Sequence, residues 1–259
     1  MAFDAVFARD VALPLAAAAY DVMSGPPAAL PAGFVQTALI KADDIMLAAK
    51  TNQYAAVAAM AKDTDIFGLM GRDPTTRTAF VSFRGSSDLS DWLADFDAIP
   101  TAYLPLTAFG EVATGFQIVY QTVRNSVATN LAAASAGCDN ILITGHSLGA
   151  ALAVLAAPDI FRKMPPNVIE PRLITFAGPR VGLTAFASAF NKLIESCFRV
   201  VNYLDIVPQV PPAPYVHVGA EVAIDSGGAV DWGHRHSLGA YRDGLNALIG
   251  PGSPGGGPV

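Results

Sequence analysis

Short runs of β-branched and aromatic residues alternate along this chain with longer stretches in which apolar residues recur every three or four positions. Ile66-Phe67-Gly68-Leu69-Met70-Gly71 and Thr78-Ala79-Phe80-Val81-Ser82-Phe83 predict two strands joined at the turn Asp73-Pro74-Thr75. Further strands are predicted over 140–144, 172–176, 198–203 and 215–224. Between and after them, helical spacing covers 115–136, 148–157, 184–195 and 238–249. Upstream, residues 3–23 read as helix, with Pro14 as a break or second start, and an alanine-rich helix covers 43–50. Strands alternating with helices after a first hairpin predict an α/β fold with a mostly parallel central sheet covered on both faces. There is no internal repeat. Residues 1–249 read as a single domain, and 250–259 as a flexible Gly/Pro tail.

Composition sharpens this picture. The 259 residues are 52% hydrophobic and only 15% charged, enough to bury a sizeable core in one large domain. A net charge of -6 argues against nucleic acid and against electrostatic docking on anionic lipid, so contact with a lipid surface would have to be apolar. Cys138 and Cys197 are too few for a disulfide framework and read as buried free thiols. No apolar run is long enough to span a bilayer. The first ten residues mix acidic and basic side chains before any apolar run, unlike a secretory signal peptide, which is the pattern of a cytoplasmic or a mature secreted chain.

The candidate chemistry lies at Gly145-His146-Ser147-Leu148-Gly149, directly after the run Asn140-Ile-Leu-Ile-Thr144 and before the helical pattern Ala150-Ala-Leu-Ala-Val154. Strand, tight turn and helix in that order make a nucleophile elbow, with Ser147 pushed out above the sheet and the Leu148 N–H free to face an oxyanion. A serine hydroxyl needs a histidine to take its proton and a carboxylate to orient that histidine, and in elbow hydrolases these follow in the order Ser, Asp or Glu, His. Of the four histidines, His146 reads as packing beside the serine, and His217 as a supporting group on a strand. His234 and His236 remain, in a loop before the last helix; two histidines without further ligands make a weak metal site, and no cofactor is indicated. Asp205, just past a predicted strand and before a proline-rich loop, is the candidate carboxylate, with a turn-capping role as its alternative.

These residues sit within a wider set of motifs. In order they are Phe83-Arg-Gly-Ser86 with Asp91-Trp92 and Asp95; Gly115-Phe116 with Tyr120; the elbow; Thr175-Phe-Ala-Gly-Pro-Arg-Val-Gly182; Asn202-Tyr-Leu-Asp-Ile-Val-Pro208; and His236 with Tyr241. The chain over about 66–245 thereby resembles the class 3 triacylglycerol lipases, an α/β-hydrolase family. The resemblance implies a triad of Ser147, Asp205 and His236, choosing His236 over His234 because it precedes Tyr241. It implies an oxyanion hole shared by Ser86 and Leu148, with Asp95 supporting Ser86, and Val207 and Val210 lining an acyl groove. It also makes residues 87–97 a lid; independently, Leu89, Trp92, Leu93 and Phe96 fall at i, i+3, i+4 and i+7, one apolar face of a short helix. The chain departs from the family in carrying Ala113 where a histidine is frequent, Ala177 before Gly178-Pro179, and Leu183 in place of asparagine.

The expectation is a carboxylic ester hydrolase, a triacylglycerol lipase working through an acyl-enzyme at a lipid–water interface. The alternatives are an esterase for soluble short or feruloyl-type esters and a non-catalytic binding module on the same fold.

Overall fold

The computed structural model describes residues 2–24, 29–44, 46, 50, 57, 61, 64–86, 98–164 and 171–250. The N-terminal helix α1 comprises Ala5–Phe7, a π-helical turn over Ala8–Ala12, and Leu13–Asp21. Pro14 has no N–H and its ring crowds the carbonyl four residues back. The widened turn before it absorbs that conflict, so the helix continues where the sequence suggested a break. Of the alanine-rich segment, the described residues Asp44, Met46 and Lys50 are helical.

Strand β1 (Val35–Lys41) is absent from the sequence reading. Its pairing with β2 (Ile66–Asp73) shifts register between Gln36 and Ala38 and again between Ile40 and Lys41, which breaks the period of two by which a strand is recognised. β2 turns back as predicted into β3 (Thr78–Phe83). A small hairpin, β4 (Pro100–Ala102) with β5 (Glu111–Ala113), is too short to leave a periodic trace. Helix α2 (Thr114–Ala134) and strand β6 (Asn140–His146) lead to α3 (Leu148–Lys163). Then follow β7 (Arg172–Phe176), α4 (Thr184–Leu193), β8 (Cys197–Asn202) and β9 (Ala220–Ile224). The predicted strand 215–224 is thus halved: Val216 makes only an isolated bridge to Gly182, and the chain turns at Gly219 (φ 65°) before β9 begins. Two helices close the described chain, α5 (Trp232–His236) and α6 (Leu238–Ile249).

The sheet order is β1-β2-β3-β6-β7-β8-β9, antiparallel through β3 and parallel from β3 to β9. Alternate residues face opposite layers. Val81, Phe83, Ile141, Ile143 and Leu173 join a core with α2, α3 and α4, whereas Phe80, Leu142, Ile174, Phe176 and Val200 pack with α1 and α6. Both cysteines are buried and free. The parallel strands all deliver their carboxyl ends to one edge, where ligands of such sheets bind.

Helix α3 runs past Pro158 to Lys163, beyond its predicted end. Asp159 holds this extension. Its buried carboxylate accepts from Tyr120 Oη at 2.9 Å and Arg124 Nε at 2.7 Å on α2, and pairs with Lys163 Nζ at 2.9 Å. Removing it strands a buried hydroxyl and a half-buried guanidinium together. Asp159→Ala should therefore lower unfolding stability by roughly 3 kcal/mol, read as a drop in urea midpoint at pH 7. A change below ~0.5 kcal/mol would mean that the apolar contact alone fixes α2 on α3.

Candidate active site

The site is built at the carboxyl edge of the sheet. Phe83 pairs with Gly145 and His146 with Phe176, so β3, β6 and β7 end side by side. Between β6 and α3 the chain reverses at Ser147, whose backbone sits at φ 60°, ψ −129°. Such a conformation costs a non-glycine residue on the order of 1–3 kcal/mol. It is held by the Ser147 N–H donating to the Phe176 carbonyl at 3.0 Å. The flanking glycines are steric requirements. A Cβ on Gly145 would meet the Gly149 carbonyl oxygen at 2.3 Å, and one on Gly149 would meet that of Phe83 at 2.2 Å. Leu148 is the first residue of α3, so its N–H has no partner within the helix. Ser86 follows β3 through Arg84 and Gly85. Arg84, fully buried, donates from Nε to the Ile66 carbonyl at 2.6 Å and from Nη1 to the Gly85 carbonyl at 3.0 Å, and stacks on Phe67.

Asp205 lies three residues beyond the end of β8, directly after Leu204 at φ 65°. It is 3% exposed and each carboxylate oxygen is engaged. Oδ1 accepts from the Val207 N–H at 3.0 Å and Oδ2 from the Tyr241 hydroxyl at 2.7 Å. His236 Nδ1 lies 3.1 and 3.0 Å from the two oxygens, which fixes its proton on that nitrogen and leaves Nε2 as the ring's acceptor. Burial and the Asp205 charge hold the Tyr241 phenol well above its usual range, so it stays a donor. The sequence pattern puts His236 in a loop; it ends the short helix α5 instead. Asp231 caps that helix, its carboxylate accepting from the His234 N–H at 2.9 Å. An aspartate three residues before His234 was the available sign of this N-cap.

Asn202 opens one of the motifs quoted from the sequence, where no role was assigned to it. Its buried side chain donates to the Arg235 carbonyl at 2.8 Å and to Ser226 Oγ at 3.0 Å, and accepts from the Ser226 N–H at 3.0 Å. It ties the end of β8, three residues before Asp205, to the helix carrying His236. Arg235 helps by binding Asp225 at 2.6 Å and the Ala229 carbonyl at 2.8 Å. Its place in that motif, at the end of a strand beside the candidate aspartate, was its trace in the sequence.

The remaining histidines separate by environment. His234 is exposed. His146 is buried, with its ring centroid 4.6 Å from that of His236, and both its nitrogens make polar contacts, so it does more than fill space. His217 is not on a strand but in the connection before β9, with Nε2 2.8 Å from the Pro208 carbonyl. Val207 is fully buried and Val210 half-buried, in the turn that follows Asp205. The lid positions Leu89, Trp92, Leu93 and Phe96, and the supporting Asp95, lie outside the described residues. Among the described residues, no group of three or more His, Cys, Asp or Glu is arranged to hold a metal ion, and no helix is long and apolar enough to cross a membrane.

Comparison with known proteins bears on the family and the fold. The description of the class 3 lipase family matches residues 80–215, and the chain belongs to that family. A lipase of Rhizomucor miehei is 33% identical over 162 residues, 61% of this chain and 44% of its own length. A secreted mono- and diacylglycerol lipase of Penicillium cyclopium is 34% identical over 168 residues, 63% of this chain and 53% of its own. The chain thus spans about half the length of the curated relatives it matches. The crystal structure of a mutant form of MDLA from Penicillium cyclopium superposes with a TM-score of 0.63 at 25% identity, covering 85% of this chain and 78% of that one. The fold is that of the α/β-hydrolases.

Burial, with smaller contributions from Arg199 and Arg180, pushes the His217 imidazole down to about 4, and burial beside His236 holds His146 well below its usual range. Both pKa values are lower in the folded chain than the ordinary 6.5, so below that pH the unfolded chain binds more protons. The stability they contribute is whole above pH 6.5 and is lost as pH falls towards 4. Each group adds at most about 1.4 kcal/mol per pH unit. His217→Gln should therefore lose less urea stability than the parent between pH 7 and pH 4.5; equal losses would contradict a buried, neutral His217.

Proposed function

We propose that this protein hydrolyses carboxylic esters of lipids, acylglycerols foremost, through Ser147, His236 and Asp205. The observation carrying this reading is the His236 imidazole, oriented by Asp205 through Nδ1, on the same sheet edge as a strained elbow serine. His236 Nε2 takes the Ser147 proton as Oγ attacks the ester carbonyl. The oxyanion forms against the N–H groups of Leu148 and Ser86, donors worth on the order of 3 kcal/mol of barrier each. His236 returns the proton to the leaving alcohol. Water then attacks the acyl-enzyme by the same route. The Asp205 carboxylate stabilises the imidazolium throughout.

The apolar surface beside the site favours lipid over a soluble ester. Tyr203, Leu204 and Ile206 flank Asp205, and Val230 precedes the helix of His236; they are 60, 42, 42 and 75% exposed. Leu204 holds a positive φ that glycine would adopt without cost, so its exposed leucine side chain has no reason in folding. The net charge of -6 suits a neutral lipid surface better than an anionic one. Membership of the lipase family supports the same substrate class.

Ser147→Ala and His236→Ala should each reduce hydrolysis of p-nitrophenyl butyrate to background while leaving the fold intact, a loss of up to about a millionfold. His234→Ala should stay within a few-fold of the parent. A reversed result for the two histidines would overturn the assignment. Leu204→Gly should raise the melting temperature by relieving strain, yet slow hydrolysis of emulsified tributyrin several-fold with the soluble ester unaffected. Equal rates of Leu204→Gly and parent on the emulsion would favour an esterase for soluble esters.

A further inference from the structure

The sequence suggests only a packing role for His146, and α1 lies outside the part of the chain that the family description matches, yet the two meet under the site. The Tyr20 hydroxyl, at the end of α1, is 3.0 Å from His146 Nδ1. His146 Nε2 is 2.7 Å from the backbone carbonyl of His236. A carbonyl can only accept, so Nε2 carries the proton and Nδ1 is the acceptor, which makes the Tyr20 hydroxyl the donor. The same hydroxyl packs against the backbone of Gly85, the residue before Ser86. Contact there is so close that a Cβ on Gly85 would lie 2.4 Å from Tyr20 Oη and 3.1 Å from Ser147 Cβ. The path runs by contact from the peptide beside the oxyanion donor to Tyr20, and by two hydrogen bonds from Tyr20 through His146 to the peptide of the base.

We propose that Tyr20 and His146 are positioning residues, a hydrogen-bonded strut that sets the distance between the Gly85–Ser86 oxyanion arm and the His236 backbone on either side of Ser147. Neither touches the reacting atoms. Tyr20 braces the arm by contact with Gly85, and His146 holds the His236 carbonyl while Asp205 holds its imidazole. The strut needs His146 neutral, which burial and the neighbouring His236 enforce. A protonated ring would present a second donor to Tyr20 and turn its hydroxyl towards the His146 carbonyl, 3.4 Å away. The N-terminal helix is thereby part of the catalytic apparatus rather than a cover for one face of the sheet. This inference rests on the proposed triad.

The discriminating variant is Tyr20→Phe, which keeps the ring and its packing and removes only the strut's central atom. With p-nitrophenyl butyrate, kcat should fall tenfold or more while KM stays within twofold. The inhibition constant of butylboronic acid, whose tetrahedral adduct with Ser147 occupies the oxyanion hole, should rise by a similar factor. That constant is a property of folded molecules, so a variant that is merely less stable would not change it. His146→Phe should give the same pattern, and the double variant should lose no more than the worse single one, because the two act as one unit. A folded Tyr20→Phe with kcat within twofold of the parent overturns the strut. So does a fall in kcat that matches the unfolded fraction while the boronic acid constant stays fixed, or losses that multiply in the double variant. Failure of the triad itself would look different: the parent would be insensitive to the boronic acid.

Discussion

The site depends on one steric constraint, the near-contact of three backbone segments at the end of β6. Helix α3 begins so close to β6 and β3 that Gly145 and Gly149 leave no room for a Cβ. That closeness forces Ser147 into its strained backbone, because no relaxed turn can reverse the chain in so little space. It also brings the backbone of Phe83 and Arg84, which leads to Ser86, alongside the start of α3. The strain is sustained by a core on each face of the sheet, filled by α2, α3 and α4 on one side and α1 and α6 on the other. A loose core would let the elbow relax and the donors drift apart.

Against this rigid corner, the proposed base is held by a network of polar contacts. Asp205 receives three different donors, and Asn202 binds the peptide before His236. Chains of buried hydrogen bonds work as a unit and are sensitive to any missing member. The four histidines illustrate how environment assigns roles to one side chain. His234 is solvated, His217 is kept neutral by burial and two arginines, His146 is kept neutral against His236, and His236 alone faces a carboxylate.

Much of this was legible in the sequence where chemistry demands particular residues at fixed spacing. The elbow needs its glycines, and a parallel sheet needs alternating strands and helices, so β6, α3 and the layer order could be read directly. Ser147 stood out from local context as a candidate, whereas local context left Asp205 open between a triad and a turn-capping role, and choosing it and His236 over His234 required the family pattern. What was not legible came from long-range geometry. The bulges of β1 hid its period, and Gly219 cut short a strand whose alternation looked continuous. The partners of His146 are 126 residues upstream and 90 downstream in the chain, so no spacing rule could reveal them. Asn202 acts through a peptide 33 residues away for the same reason.

Covalent labelling tests the central claim most directly. Treatment with an alkyl fluorophosphonate, followed by intact mass measurement and peptide mapping, should show one phosphonyl group per chain, all of it on Ser147. Labelling should slow by orders of magnitude in His236→Ala. A chain that stays unlabelled under conditions that saturate known serine hydrolases, or that carries the adduct on another residue, would contradict an elbow serine activated by His236 and Asp205.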